Sequence, residues 1–331
     1  MIIARKETKV KILKNKIFHS LSLRALEESK ARLIIAYLIL VIIVVVASVF
    51  SQTFTRPHNI FNVLRQGVAL GLVSIGQTFI ILTGGVDLSV SSTVSLTSCL
   101  TAGLMEGRVE AMVPVILFVL FIGVTIGFTN GLIVSELRVP PLITTLGMMS
   151  LIQGVVLLYT HSPIGMVPWA FAFLSEGYVG PVPFAVIFFA LLFALAWFVL
   201  KRTTFGRYVY AVGGSEEIAY LAGIKTRLII NITYIIGSVA AASSGLFLAS
   251  RCGSGDPLMG VGYDFDSITA VIIGGTSLAG GRGSLIGTLA GVFIMCVLNN
   301  IMNLLGVFCF WQWVVKGMIL IVALSTYRVR R

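Results

Sequence analysis

Residues 33–50 read LIIAYLILVIIVVVASVF, eighteen consecutive residues without a charged side chain. A helix of that length rises about 27 Å and nearly crosses the hydrocarbon core of a bilayer, which is about 30 Å thick. A long basic segment precedes it, whereas a signal peptide has a shorter basic region and a shorter apolar core. We therefore expect an uncleaved membrane span.

The rest of the chain has the same character. Of its residues 57% are hydrophobic and only 11% are charged, whereas soluble proteins carry about 25% charged residues. This balance excludes a soluble enzyme, a disordered region and a fibrous protein. It predicts an all-α, polytopic helical membrane protein with about ten transmembrane helices and weakly duplicated halves. The uncharged runs lie at 33–50, 67–86, 88–105, 111–135, 139–175, 177–200, 228–250, 267–281, 283–315 and 317–327.

The basic residues predict the orientation. Nine of the 24 Lys and Arg lie within residues 1–32, and most others fall in short gaps between apolar runs. This pattern fits membrane topology and argues against nucleic-acid binding. With a cytoplasmic N-terminus, 19 of these cations are cytoplasmic and four are external, while Lys316 snorkels outward from the last span. We divide the chain into a basic cytoplasmic segment (1–32), a transmembrane domain (33–327) and a basic cytoplasmic tail (328–331).

Glycines and uncharged polar residues recur within the spans. Gly123, Gly127 and Gly131 are four residues apart, a spacing that lets helix backbones approach closely within the chain or at a subunit interface. Polar side chains in the spans either form hydrogen bonds between helices or line a path for a polar solute. Those that we place on the pathway or its gate, together with Asp87 and Ser89, are Asn130, Gln153, Asn299 and Asn303.

The segment LTGGVDLSV at residues 82–90 places an acidic residue inside an apolar run. Gly84 and Gly85 interrupt a helix, and Asp87 follows among apolar residues. A carboxylate at the bilayer centre costs about 2.5–3.5 kcal/mol, whereas a helix cap returns about 1 kcal/mol. Asp87 is therefore either a helix cap near the membrane edge or part of the permeation pathway.

A second glycine-rich stretch, GGTSLAGGRGS, occupies residues 274–284. The phosphate-binding pattern G-x-x-x-x-G-K-[ST] is absent from it and from the whole chain, so we expect no ATP hydrolysis by this chain and no cofactor in it. We interpret the glycines of both stretches as structural, namely Gly84, Gly85, Gly274, Gly275, Gly280 and Gly281.

The longest polar segment between spans is 201–227. Ser215 is a helix cap, acidic residues follow it, and Gly223 ends a short helix. This helix is either solvated alone or presented to a cytoplasmic partner. We expect Ala219→Arg to weaken assembly with that partner without disturbing the fold.

The absence of clustered ionisable residues and of charge pairs within the spans disfavours a proton-coupled or stand-alone transporter.

Several motifs resemble the permease subunits of ribose/xylose/galactose-type ABC importers. Residues 84–90 (GGVDLSV) resemble that family's signature, 205–214 (FGRYVYAVGG) resemble its cytoplasmic coupling segment, and 266–283 are similar to its second glycine signature. The sequence departs from the family pattern at Ser215, Ile218-Ala219, Gln153 and Asp264. The resemblance identifies a coupling loop (203–224) whose ATPase-contacting residues are Gly206, Arg207, Gly213, Gly214, Ser215, Glu216, Ala219 and Gly223.

This resemblance implies a permease in the bacterial cytoplasmic (inner) membrane that moves a monosaccharide or related polyol by alternating access. It further implies three partners besides the lipid bilayer: a cytoplasmic tandem-cassette ATPase, an extracytoplasmic sugar-binding protein, and a second permease copy or sister chain. The alternatives are a related permease for nucleosides or branched-chain amino acids, or a secondary transporter or channel that works alone.

Overall fold

The computed structural model describes Ala31 and residues 33–325; the basic tail 328–331 and nearly all of the segment 1–32 lie outside the described residues. The regular elements of the described chain are all helices apart from one short hairpin and an isolated bridge between Ile164 and Gly255. Its elements are α1 (Leu33–Phe50), α2 (Pro57–Leu82), α3 (Val90–Met105), α4 (Met112–Ser135), α5 (Pro141–Tyr159), α6 (Trp169–Glu176), β1 (Tyr178–Val179), β2 (Val182–Pro183), α7 (Phe184–Arg202), α8 (Thr204–Gly214), α9 (Glu216–Leu221), α10 (Thr226–Cys252), α11 (Tyr263–Ile273), α12 (Leu285–Leu304) and α13 (Cys309–Ser325).

Seven of the described helices are long and apolar enough to cross a membrane: α1, α2, α4, α5, α7, α10 and α12. Two shorter apolar helices, α3 and α13, and the short helix α11 occupy the other expected spans. α11 has 11 residues and rises about 17 Å, too little to cross alone. The all-helical polytopic prediction is confirmed.

Helix α2 begins at Pro57, ten residues before the start of the uncharged run 67–86. The run starts later than the helix because Arg65, a charged residue, lies inside the helix. The Arg65 guanidinium forms an ion pair with Glu176 (Nη1–Oε2 3.2 Å) and lies 5.0 Å from the ring centre of Tyr178. A cation held by two partners in this way does not end a helix. A charge-free run therefore underestimates the length of a helix whose end reaches polar groups.

Helices α2, α10 and α12 are mostly buried within the chain, and α3 and α4 pack on α10. The α4–α10 contact depends on small residues. A Cβ on Gly127 would lie 2.5 Å from the Tyr234 carbonyl oxygen, and one on Gly123 would lie 2.8 Å from the Ala242 Cβ. These glycines therefore serve packing within the chain, one of the two possibilities that their spacing predicted.

The helix bundle has two ends, named here after the short helices that lie at them. At the α8 end, α8 and α9 lie beside the ends of α2, α4 and α11 and the starts of α5, α10 and α12. Ion pairs there join Glu136 to Arg227 (2.6 Å) and Arg138 to Glu216 (3.4 Å). At the α6 end, α6 and the hairpin lie beside the start of α2 and the end of α10. The chain passes back and forth between these ends, as a bundle of membrane spans does.

Candidate functional site

The turn between α2 and α3, residues 83–89, is hereafter the first glycine turn, and it holds a sealed polar cluster. Asp87 Oδ1 accepts hydrogen bonds from the Ser89 backbone N–H (2.8 Å) and hydroxyl (2.6 Å). Ser89 Oγ in turn accepts from Asn130 Nδ2 of α4 (2.9 Å). All three residues are fully buried. Asp87 therefore accepts from Ser89, the N-cap residue of α3, and through Ser89 it joins the start of α3 to α4.

Two buried oxygens of this cluster, Asp87 Oδ2 and Asn130 Oδ1, have no hydrogen-bond partner. The hydroxyl of Tyr234 on α10 lies nearby and donates to the Val86 carbonyl oxygen (3.4 Å). A fully buried carboxylate with one unpaired oxygen lowers the stability of the fold. Because Asp87 is fully buried, its carboxylate does not contact water in this structure.

The other predicted pathway residues lie outside this cluster. Gln153 Nε2 donates to the Pro257 carbonyl oxygen (3.1 Å) and so ties α5 to the loop before α11. Asn303 is exposed and accepts from Gln312 (2.8 Å), whereas the Asn299 Oδ1 atom is buried without a partner. The structure thus brings Asp87, Ser89 and Asn130 together and leaves the remaining three apart from them.

Residues 274–284, hereafter the second glycine turn, join α11 to α12. The Gly281 N–H donates to the Leu82 carbonyl oxygen at the end of α2 (2.9 Å). Both breaks between helices therefore meet at the α8 end, although they lie about 190 residues apart in sequence. Gly84, Gly280 and Gly281 have φ between +70° and +83°, a backbone conformation that favours glycine. The sequence did not predict this contact, because no local pattern records which turns meet.

The predicted coupling loop consists of two short helices. Thr203 caps α8 by accepting from the Gly206 N–H, and Ser215 caps α9 by accepting from the Ile218 N–H (3.3 Å each). Two acidic residues occupy the first turn of α9, and Gly223 follows it with φ +84°. The capped helix predicted around Ser215 is confirmed.

The orientation of α9 corrects the expectation for Ala219. Ala219 is 3% exposed and packs into the chain's own core, so an arginine there would disturb the fold. The exposed apolar residues of α9 are Ile218 (69%), Tyr220 (70%) and Leu221 (78%). A six-residue helix gives too weak a periodicity for the sequence to show which side faces inward.

The expectation for Lys316 is also wrong. Its ammonium does not snorkel but forms an ion pair with Asp266 of α11 (Nζ–Oδ2 2.6 Å). Helices α11 and α13 therefore share a charge pair, and the expected absence of charge pairs, which disfavoured a stand-alone transporter, is wrong. The two residues are 50 apart in sequence, so only the tertiary fold brings them together.

Among the described residues, no group of three or more His, Cys, Asp or Glu side chains is arranged to hold a metal ion.

The fold and these contacts define the class: a multi-pass helical membrane protein with a polar cluster sealed among its helices. Residues 59–324 match the family described as branched-chain amino acid transport system / permease component. The chain belongs to this family of permease components of binding-protein-dependent ABC importers. Membership makes it a transport component rather than an enzyme, and the resemblance read from the motifs is confirmed.

Three relatives illustrate the similarity. The ribose import permease protein RbsC of Bacillus subtilis is 41% identical over 290 residues, which are 87% of this chain and 90% of the relative. The fructose import permease protein FrcC of Rhizobium meliloti is 33% identical over 85% and 80% of the two chains. The galactose/methyl galactoside import permease protein MglC of Escherichia coli is 33% identical over 87% and 92%. No solved structure matches the chain.

Proposed function

We propose that this chain is the membrane-spanning permease of an ATP-driven importer for a monosaccharide or a related small polyol. The single observation that supports this most is the similarity, along most of the chain, to import permeases for ribose, fructose and galactose. The family description also includes branched-chain amino acids, so a permease for those solutes is the second candidate.

The partners follow from this function. A chain without a phosphate-binding loop requires a separate ATPase, which we place against α9. Exposed large apolar side chains outside the bilayer mark a protein interface, and α9 presents Ile218, Tyr220 and Leu221 beside a charged groove of about 850 Å³. A solute-binding protein on the α6 side and a second permease copy or sister chain complete the proposed importer.

The Asp87–Ser89–Asn130 cluster is proposed as part of the gate. Its three side chains fix the start of α3 against α4, so movement of the first glycine turn requires this chain of hydrogen bonds to break or shift. Gln153, Asn299 and Asn303 lie elsewhere on the helices, where they are proposed to contact solute at other stages of transport.

The α8 end is proposed to face the cytoplasm, in a bacterial cytoplasmic membrane. Positive charges favour the cytoplasmic side, and the α8 end is the richer in cations. The α6 end holds Arg56, Arg65, Arg108 and Arg251, and the α8 end holds Arg138, Lys201, Arg202, Arg207, Lys225, Arg227 and Arg282.

With this orientation, both termini are cytoplasmic. We expect alkaline phosphatase fused after Arg331 to be inactive, because the enzyme requires export, and a green fluorescent protein fused there to fluoresce. An active phosphatase fusion at Arg331, with phosphatase fused after Ser254 as the exported control, would overturn the topology.

The proposed solute class is tested by uptake in cells that keep the rest of the importer and either have or lack this chain. We expect uptake of radiolabelled ribose or a related sugar to depend on the chain and to be reduced by an unlabelled monosaccharide. Leucine and adenosine are the matched competitors for the alternatives. Uptake that leucine or adenosine displaces and sugars do not would contradict the proposal.

A further inference from the structure

The two glycine turns and the end of α8 share one contact region, hereafter the glycine junction, formed by Gly84, Gly213, Gly214, Gly280 and Gly281. At Gly213 and Gly280 the junction has no room for a side chain. A Cβ on Gly213 would overlap the Leu82 carbonyl oxygen and lie 2.5 Å from the Gly281 nitrogen. One on Gly280 would lie 2.8 Å from the Gly213 carbonyl oxygen and 2.9 Å from the Gly84 nitrogen. Three segments of backbone are therefore in direct contact.

Direct contact matters because close-packed groups have low compressibility, so a displacement of one group displaces its neighbour. The two turns are also hydrogen-bonded to each other through Gly281 and Leu82. A segment that displaces one glycine turn therefore also displaces the other. The end of α8 is in that position, because the Gly213–Gly214 pair lies against the ends of both breaks.

Helix α8 is held firmly enough to act on this junction. The Tyr210 hydroxyl donates to the Gly283 carbonyl oxygen of the second glycine turn (2.9 Å). Burial raises the pKa of Tyr210 to about 12, which further favours the protonated hydroxyl that donates this hydrogen bond. Phe205 stacks on Phe79 of α2 with ring centres 6.3 Å apart.

Only Ser215 separates α8 from α9. A force on the exposed residues of α9 therefore reaches Gly213 through a helix of six residues and its cap. No flexible linker lies between the surface proposed to meet the ATPase and the glycine junction.

We propose that Gly213 is the positioning residue through which α8 moves both glycine turns together, so that the breaks α2/α3 and α11/α12 change conformation as one unit. This inference rests on the proposed function as an ATP-driven permease. It assigns to Gly213 a role distinct from contact with the ATPase, because its backbone faces the two turns.

Substitution of Gly213 tests the junction in the assembled importer. Gly213→Ala is expected to lower uptake per ATP hydrolysed by about tenfold, the size of a typical coupling between sites. Gly317→Ala on α13 is the matched comparison, because its Cβ would meet nothing within 4 Å, and it is expected to leave uptake per ATP unchanged.

A second measurement avoids dependence on how Gly213→Ala folds. Thr83→Cys and Ala279→Cys place one thiol in each glycine turn, in a chain whose exposed Cys252 and Cys309 are replaced by alanine. A membrane-permeant maleimide is applied without nucleotide and after trapping of the ATPase with vanadate. We expect trapping to change the labelling rates at both positions together in the importer with Gly213 in place.

The outcomes separate this inference from the function on which it rests. If ATP-dependent uptake is normal but trapping alters one turn only, or neither, the inference is wrong and the proposed function stands. Gly213→Ala with unchanged uptake per ATP would likewise overturn it. If the importer shows no ATP-dependent uptake at all, both proposals fail.

Discussion

Asp87→Leu is expected to abolish uptake, whereas Asp87→Asn is expected to keep a large part of it. Leucine removes the acceptor for the Ser89 N–H and hydroxyl, and each buried group left unpaired costs about 1–3 kcal/mol. The Asn130 bond then ends on a serine that no longer has a fixed orientation. Asparagine keeps an acceptor oxygen at this position, so it loses only the charge-assisted part of these bonds.

Asp256→Leu is the matched control, because Asp256 Oδ1 also accepts from the N–H two residues later, that of Leu258 (2.7 Å), but in an exposed loop. We expect little loss there, since water replaces the acceptor. Radiolabelled uptake is compared with the amount of inserted protein for each variant. Equal loss in Asp87→Leu and Asp87→Asn at normal insertion would show that the charge itself is required and would reject the acceptor role.

Leu221→Arg is expected to separate the permease from its ATPase without harming the permease. Leu221 is 78% exposed, and surface substitutions of this kind change stability by about 0.5 kcal/mol or less. At the centre of an interface such an anchor contributes about 2 kcal/mol or more, so affinity for the ATPase is expected to fall by more than about tenfold. Co-purification and binding-protein-stimulated ATP hydrolysis measure the loss.

Two further variants serve as controls for Leu221→Arg. Leu221→Met keeps an apolar side chain of similar size and is expected to retain most of the assembly. Ala219→Arg, directed at the chain's own core, is expected to lower the thermal stability and the yield of the permease itself. Intact assembly and stimulated hydrolysis in Leu221→Arg would mean that the ATPase binds elsewhere.

The sequence predicts most of what depends on local pattern. Charge-free runs located the seven long helices, since a span in lipid must exclude charge, and the sequence Ser215-Glu-Glu was enough to place the capped helix α9. The run 139–175 is longer than one span requires, and a loop between Tyr159 and Trp169 divides it. Each of these features depends on residues within a few positions of one another.

What the sequence did not predict depends on contacts across the fold. Arg65 lies within a helix because Glu176 and Tyr178 reach it, and Lys316 is paired because α13 packs beside Asp266. The direction of Ala219 is set by the core beneath α9. The meeting of two glycine turns with α8 involves three separate segments, and glycine content alone does not say what approaches the backbone.

The most direct test of the central claim is sugar uptake into proteoliposomes that contain this permease with its ATPase and binding protein. The binding protein and radiolabelled sugar are supplied on the α6 side, and ATP on the α8 side. We predict accumulation of sugar on the α8 side that requires hydrolysable ATP and stops when the nonhydrolysable analogue replaces it. Equal accumulation with the analogue, or with the ATPase omitted, would contradict the account.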